Sequence, residues 1–191
     1  MWFHVLQALW FLLPILLAGL VQITAIKRDW FPALARRPLD GGLRLRGRRV
    51  FGDHKTVRGA LVMISATALV VATLAASCGA LHRQLSVSPF QIAHPLLWGL
   101  LLGTGYILGE LPNSLIKRQL GIAPGAAATS ARRPIFWVAD QLDWMIGVFL
   151  LLSIVWRADL WFIAVIAVLT LCVHPVMAAL MVALGLKDRI G

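Results

Sequence analysis

The sequence predicts an all-α integral membrane protein with about five transmembrane helices, and three observations predict it. Only 14% of the residues are charged and 60% are hydrophobic, whereas a soluble domain is about a quarter charged. Mean hydropathy is +0.83, and the apolar residues fall in runs near the ~20 residues a spanning helix needs. The polar residues gather between those runs, chiefly in residues 27–59 and 118–134. Together these features describe one membrane domain over residues 1–191.

Taken in order, the first span covers about residues 1–26. It has neither a basic leader nor a small-residue cleavage site, so it reads as a span and not as a cleaved signal peptide. The second span is expected at 60–81 and the third at 92–117, past a short connection holding Arg83 and Pro89. The fourth is expected at 135–155, and "WRADL" turns the chain into a fifth at 161–184. Trp2, Trp10, Trp30, Trp156 and Trp161 fall near predicted ends, where indoles favour the membrane interface.

Basic residues orient this arrangement. With residues 27–59 inside, that loop, residues 117–134 and the tail place sixteen of the eighteen Lys and Arg on the cytoplasmic side. Only Arg83 and Arg157 remain outside, a strong positive-inside bias. The expectation is a multi-pass protein of the cell (cytoplasmic) membrane with its N-terminus outside, its C-terminus inside and two cytoplasmic polar loops, 27–59 and 118–134. The formal charge of +10 then reports orientation and points to no nucleic acid. Cys78 and Cys172 lie in apolar runs, so neither a disulfide framework nor a thiolate metal site is suggested. Of the five histidines, His4, His82, His94 and His174 are scattered and show no metal-ligand spacing.

Three acidic residues within the spans need a reason, because each costs about 2.5–3.5 kcal/mol at a helix centre. Glu110 lies seven residues before Lys117, and Asp140 and Asp143 lie a few residues into the fourth span. At 1.5 Å per residue, all three carboxylates come to about one depth. Glu110, Ser114 and Lys117 share a helix face by their spacing, as do Asp140, Asp143 and Gly147. Packed together, these faces build a carboxylate pocket beneath a rim of Lys117, Arg118, Arg132 and Arg133. Such a pocket suits Mg²⁺ bound to phosphates, with carboxylate oxygens on the metal and basic groups on phosphate. Pro112 is a candidate break in the third helix, tolerated where a helix lines a polar cavity.

The polar stretch "FGDHKTVRGA" (Phe51 to Ala60) has the ingredients of a phosphate cradle but fails the P-loop spacing. "GRRVFGDHKTVRGAL" (Gly47 to Leu61) resembles the cytoplasmic-loop motif of the CDP-archaeol synthases. "GELPNSLIKRQLGIAPG" (Gly109 to Gly125), followed by "DQLDW" (Asp140 to Trp144), resembles that family's second block and the wider phosphatidate cytidylyltransferase signature. Both blocks occur in the right order, and the resemblance covers nearly the whole chain. Glu110 stands where the family usually has Asp, and Pro112 and Asn113 also depart from its pattern.

The resemblance implies a CTP-dependent cytidylyltransferase, in which a lipid phosphate oxygen attacks the α-phosphorus of CTP to give a CDP-lipid and pyrophosphate for phospholipid biosynthesis. CTP and a lipid phosphate, phosphatidate or archaeol-type, are the implied partners in the bilayer, and Mg²⁺ the implied cofactor. Lys117, Asp140 and Asp143 are the implied catalytic set. Asp140 and Asp143, with Glu110, are the implied metal ligands. Ser114 and Arg118 join Lys117 as implied phosphate contacts, and Asp53, Lys55, Thr56 and Arg58 form an implied substrate-binding loop wall. The residues by themselves leave two other classes open: a non-catalytic protein binding anionic lipid through its arginines, and a small transporter using intramembrane carboxylates. Oligomeric state is left open too, as is a role for His54.

Overall fold

A computed structural model describes residues 2–88, 94–123 and 133–183; Arg132, expected at the rim, lies outside them. The elements are α1 (Trp2–Lys27), α2 (Pro32–Ala35), β1 (Arg44–Leu45), β2 (Arg48–Arg49), α3 (Val57–Ser77), α4 (Gly79–Leu85), α5 (Pro95–Gln119), α6 (Arg133–Leu152) and α7 (Leu160–Ala183). Helix α5 lies between α3 and α6, while α1 packs on α3 and α7 packs on α1 and α6. The core runs through Phe11, Trp98, Leu102, Trp144, Val148 and Phe162. Trp156 joins this core, 5.9 Å from the ring of Trp98, whereas Trp2, Trp30 and Trp161 stay exposed as interface indoles do.

Local sequence sets the ends of the two helices that matter most. Thr56 starts α3 as its N-cap, its hydroxyl accepting the Gly59 amide at 3.1 Å, a contact worth about 1 kcal/mol. Helix α5 opens on Pro95, whose missing N–H is no loss in a first turn. It closes where Gly121 takes φ +79° and the Gly121 and Ile122 amides donate back to the carbonyls of Arg118 and Lys117. That paired closure is the glycine-dependent stop that satisfies a helix's last carbonyls. Pro112 does not break α5, which continues through it.

Small residues set how closely α5 meets its neighbours. Helices gain no hydrophobic driving force from each other in lipid, so close backbone packing has to hold them together. A methyl added at Gly103 would lie 2.7 Å from the Ile64 Cα of α3. On the other side, one at Gly109 would lie 2.5 Å from the Asp143 carbonyl oxygen, and one at Gly147 would lie 2.6 Å from the Gly109 Cα. Helices α5 and α6 therefore touch backbone to backbone at Gly109 and Gly147.

The expectation of about five transmembrane helices is corrected to three. Among the described residues, α1, α3 and α6 are long and apolar enough to cross a membrane. Helix α5 is long enough, but its glycines and its Glu110, Pro112, Asn113 and Ser114 dilute its apolarity. Those groups are used in packing and in a polar cluster. In α7 (Leu160–Ala183) the apolar stretch counted among the described residues is Leu160–Val173. The expected arrangement, N-terminus outside and C-terminus inside, rests on five crossings; three is also an odd number, so the correction concerns the number of spans. The region 27–59 is also more than a bare loop, since it holds α2 and the β1–β2 hairpin.

Gly147→Ala, by forcing α5 and α6 apart, is expected to lower stability by about 1–3 kcal/mol, the usual range for overpacking. Gly19→Ala in α1 meets nothing within 4 Å and is expected to be neutral or slightly stabilising. Thermal unfolding of both variants in detergent, monitored by tryptophan fluorescence, checks the contrast.

Candidate active site

The Gly109–Gly147 contact fixes what faces what at one end of the bundle. One turn beyond it, α5 presents Glu110, Asn113 and Lys117, spaced i, i+3 and i+7 on one helical face. Helix α6 presents Asp140 and Asp143 opposite them. The Asn113 side-chain nitrogen lies 2.6 Å from Asp140 Oδ1 and 2.8 Å from Asp143 Oδ2, donating to both carboxylates. Lys117 forms an ion pair with Asp140 and stands 5.6 Å over the Phe136 ring. Asp143 is steadied further by the Trp144 amide at 2.7 Å, and the Trp144 ring stacks on Tyr106.

Lys55 reaches this cluster from the polar region before α3 and pairs with Glu110. Both groups lie close enough to Asp143 to act on its charge. The backbone of Lys55 is held in place, because its carbonyl accepts the Leu39 amide at 2.8 Å while the Val57 amide donates to Arg37 at 2.8 Å. Three carboxylates and two ammonium groups from three separate parts of the chain thus meet at one place.

The structure brings Lys55, Glu110, Lys117, Asp140 and Asp143 together. Ser114 is buried on α5, next to Asn113 but a hundred degrees round the helix, so the face that meets α6 runs through Asn113. Arg118 buries its Nε and Nη1 without a hydrogen-bond partner among the described residues. The other three loop residues have partners elsewhere. Asp53 is exposed and pairs with Arg49 at 2.5 Å, Thr56 caps α3, and Arg58 pairs with Asp29 at 2.8 Å and donates to the Trp30 carbonyl. Arg133 is exposed at the start of α6, and His54 is exposed.

The family model described as CarS-like CDP-archaeol synthase matches residues 1–190. The chain belongs to the CDP-archaeol synthase family. It is 32% identical to the CDP-archaeol synthase of Methanopyrus kandleri over 98% of this chain and 94% of that one. To the CDP-archaeol synthase of Halobacterium salinarum it is 35% identical, over 80% of this chain and 82% of the relative. Among solved structures it resembles one described as an intramembrane enzyme for archaeal membrane lipids biosynthesis. That match has a TM-score of 0.57 and 26% identity, and it covers 87% of this chain and 89% of the other.

In this member of the CDP-archaeol synthase family, the loop that delivers Lys55 is built on a residue that sequence reading passed over. Asp40 is buried, with Oδ1 accepting the Gly42 amide at 3.0 Å and Arg49 Nη2 at 2.6 Å. Its Oδ2 accepts the amides of Phe51 at 2.9 Å and Gly52 at 3.3 Å. Burial alone would raise the Asp40 pKa, but the Arg49 guanidinium and three amides outweigh it and hold it well below the usual carboxylate range. Arg48, next in the hairpin, donates to the Gln119 carbonyl at the end of α5, where a cation also suits the helix dipole.

Because its folded pKa is depressed, Asp40 contributes stability above the usual carboxylate pKa and loses it as pH falls toward the lower folded value. Amide hydrogen exchange of residues 40–52 should therefore accelerate as pH drops below about 4, relative to intrinsic rates. Asp40→Asn removes the charged acceptor and is expected to cost about 1.5–3 kcal/mol. The same amides should lose protection in that variant at neutral pH, with α5 and α6 unaffected.

Proposed function

We propose that this site transfers CMP from CTP to a membrane lipid phosphate. Membership of the CDP-archaeol synthase family makes the chain a cytidylyltransferase that acts on a lipid phosphate in the membrane and forms a CDP-lipid. In the reading put forward here the acceptor is archaeol-type phosphate. Its phosphate oxygen attacks the α-phosphorus of CTP, the bond to the β-phosphate oxygen breaks, and pyrophosphate leaves. The observation that carries the site assignment is the meeting of Glu110, Asp140 and Asp143 with Lys55 and Lys117 where α5 and α6 touch.

The donor set fits Mg²⁺. All three acidic groups offer hard oxygens, and Mg²⁺ is commonly held by one or two carboxylates with substrate phosphates completing its shell. No group of three or more His, Cys, Asp and Glu is placed to hold a metal among the described residues, so this reading rests on the two aspartates with substrate phosphate. Asp140 and Asp143 would hold the cation, with Glu110 beside them, and it supplies neutralisation of phosphate charge. Lys117 and Lys55, now paired with carboxylates, carry their charge to phosphate oxygens, and the unpartnered face of Arg118 does the same. Asp53, Thr56 and Arg58 serve by holding the loop that places Lys55. Phosphoryl-type transfer needs little beyond such positioning and charge.

The ten Lys and Arg of residues 27–59, between the spans α1 and α3, support a cytoplasmic position for the site by the positive-inside rule. That is also where CTP is found.

The test is purified protein supplied with labelled CTP, Mg²⁺ and either archaeol phosphate or phosphatidate. CDP-lipid and pyrophosphate should form with archaeol phosphate. Asp140→Ala, Asp143→Ala and Lys117→Ala should each lower kcat by about 10²–10³-fold, the scale of losing one preorganised charge contact. No pyrophosphate release with either lipid, or full activity in Asp143→Ala, would refute the assignment. Thr56→Ala should instead lose about 1 kcal/mol of stability while keeping most activity.

A further inference from the structure

We propose that Asn113 is a positioning residue that holds Asp140 and Asp143 at the separation one divalent cation needs, and so sets the site's affinity for that cation. This rests on the reading of the two aspartates as cation ligands. Its single side-chain nitrogen lies within hydrogen-bond distance of an oxygen from each aspartate, 2.6 and 2.8 Å away. An amide nitrogen carries two N–H donors, one for each carboxylate. The nitrogen therefore sits between two anionic oxygens, where a cation shared by them would lie.

Two like charges this close repel each other and would swing apart without something between them. Asp140 is the freer of the pair, with its side chain 43% exposed near the start of α6. Lys117 neutralises Asp140 alone, and the Trp144 amide bonds Asp143 alone. Only Asn113, among the described residues, bonds both. The contact also joins α5 to α6 one turn beyond Gly109, so its geometry is fixed by the backbone contact there. The two carboxylates are thereby converged on one point. Partners that orient ligands in this way affect metal affinity by about 10–100-fold.

The experiment titrates Mn²⁺ into detergent-purified protein without nucleotide, reading free Mn²⁺ by electron paramagnetic resonance. Asn113→Leu keeps the size of the side chain and removes both donors; Asn113→Ser keeps one. The expected dissociation constant is about 10–100-fold weaker for the leucine variant and intermediate for serine. In turnover assays the Mg²⁺ concentration for half-maximal rate should rise in parallel, with kcat largely restored at saturating Mg²⁺. A wild-type Mn²⁺ dissociation constant in the leucine variant overturns the proposal. If the leucine variant does not fold, wild-type affinity in the serine variant overturns it. Turnover of CTP by the wild-type protein is measured separately, so loss of the cytidylyltransferase reading shows as Mn²⁺ binding without CDP-lipid formation.

Discussion

The backbone contact between α5 and α6 at Gly109 and Gly147 is the constraint on which the rest of the site depends. No side chain stands between the helices there, so the residues one turn further on face each other at side-chain reach. Glu110, Asn113 and Lys117 meet Asp140 and Asp143 because of that approach. Any larger residue at either glycine would separate the helices, and with them the carboxylates. In a lipid setting, where burial of apolar surface gives no preference for helix against helix, a close approach of this kind also has to supply much of the holding force. Packing and chemistry therefore rest on the same few atoms.

The second requirement is that a polar segment should deliver Lys55 to the same point from outside the bundle. Residues 27–59 could easily have been a disordered, arginine-rich connector. Instead Asp40 gathers Arg49 and three backbone amides around one buried carboxylate, and Thr56 converts the end of the segment into a helix start. The loop is thus a small structured unit in which Arg49 and Arg58 pair with its own aspartates. Lys55 is its main charge committed to the carboxylate cluster.

Much of this was legible in the chain. Acidic residues in apolar runs are costly enough to mark themselves, and Glu110, Asp140 and Asp143 were found from that cost alone. The motif around Lys55 stood out because polarity is rare in so apolar a sequence. The number of spans was not legible: length and hydrophobicity suggest five, but α5 turns its glycines and polar side chains to packing and to the site. Helical periodicity put Ser114 on the face with Glu110 and Lys117, although Asn113 fits the same spacing from Glu110; only the angle at which α6 approaches decides between neighbouring rows. Asp40 gave no signal at all, because an aspartate before two glycines looks like an ordinary turn residue, and its four partners are assembled by the fold.

The attachment of Arg48 to the end of α5 has a further consequence for how this chain tolerates changes in length. The segment between Arg48 and Lys55 is pinned to α5 at both ends, at Gln119 and at Glu110, which lie about 14 Å apart along the helix axis. Both ends of the segment are therefore tied to fixed points on one helix, and the turn at Gly52 to Lys55 takes up the length between them. The turn at Arg46 and Gly47 projects beyond the first pin and is under no such constraint. A change of length at that turn therefore leaves both attachments to α5 in place, which a change between Arg48 and Lys55 has to accommodate.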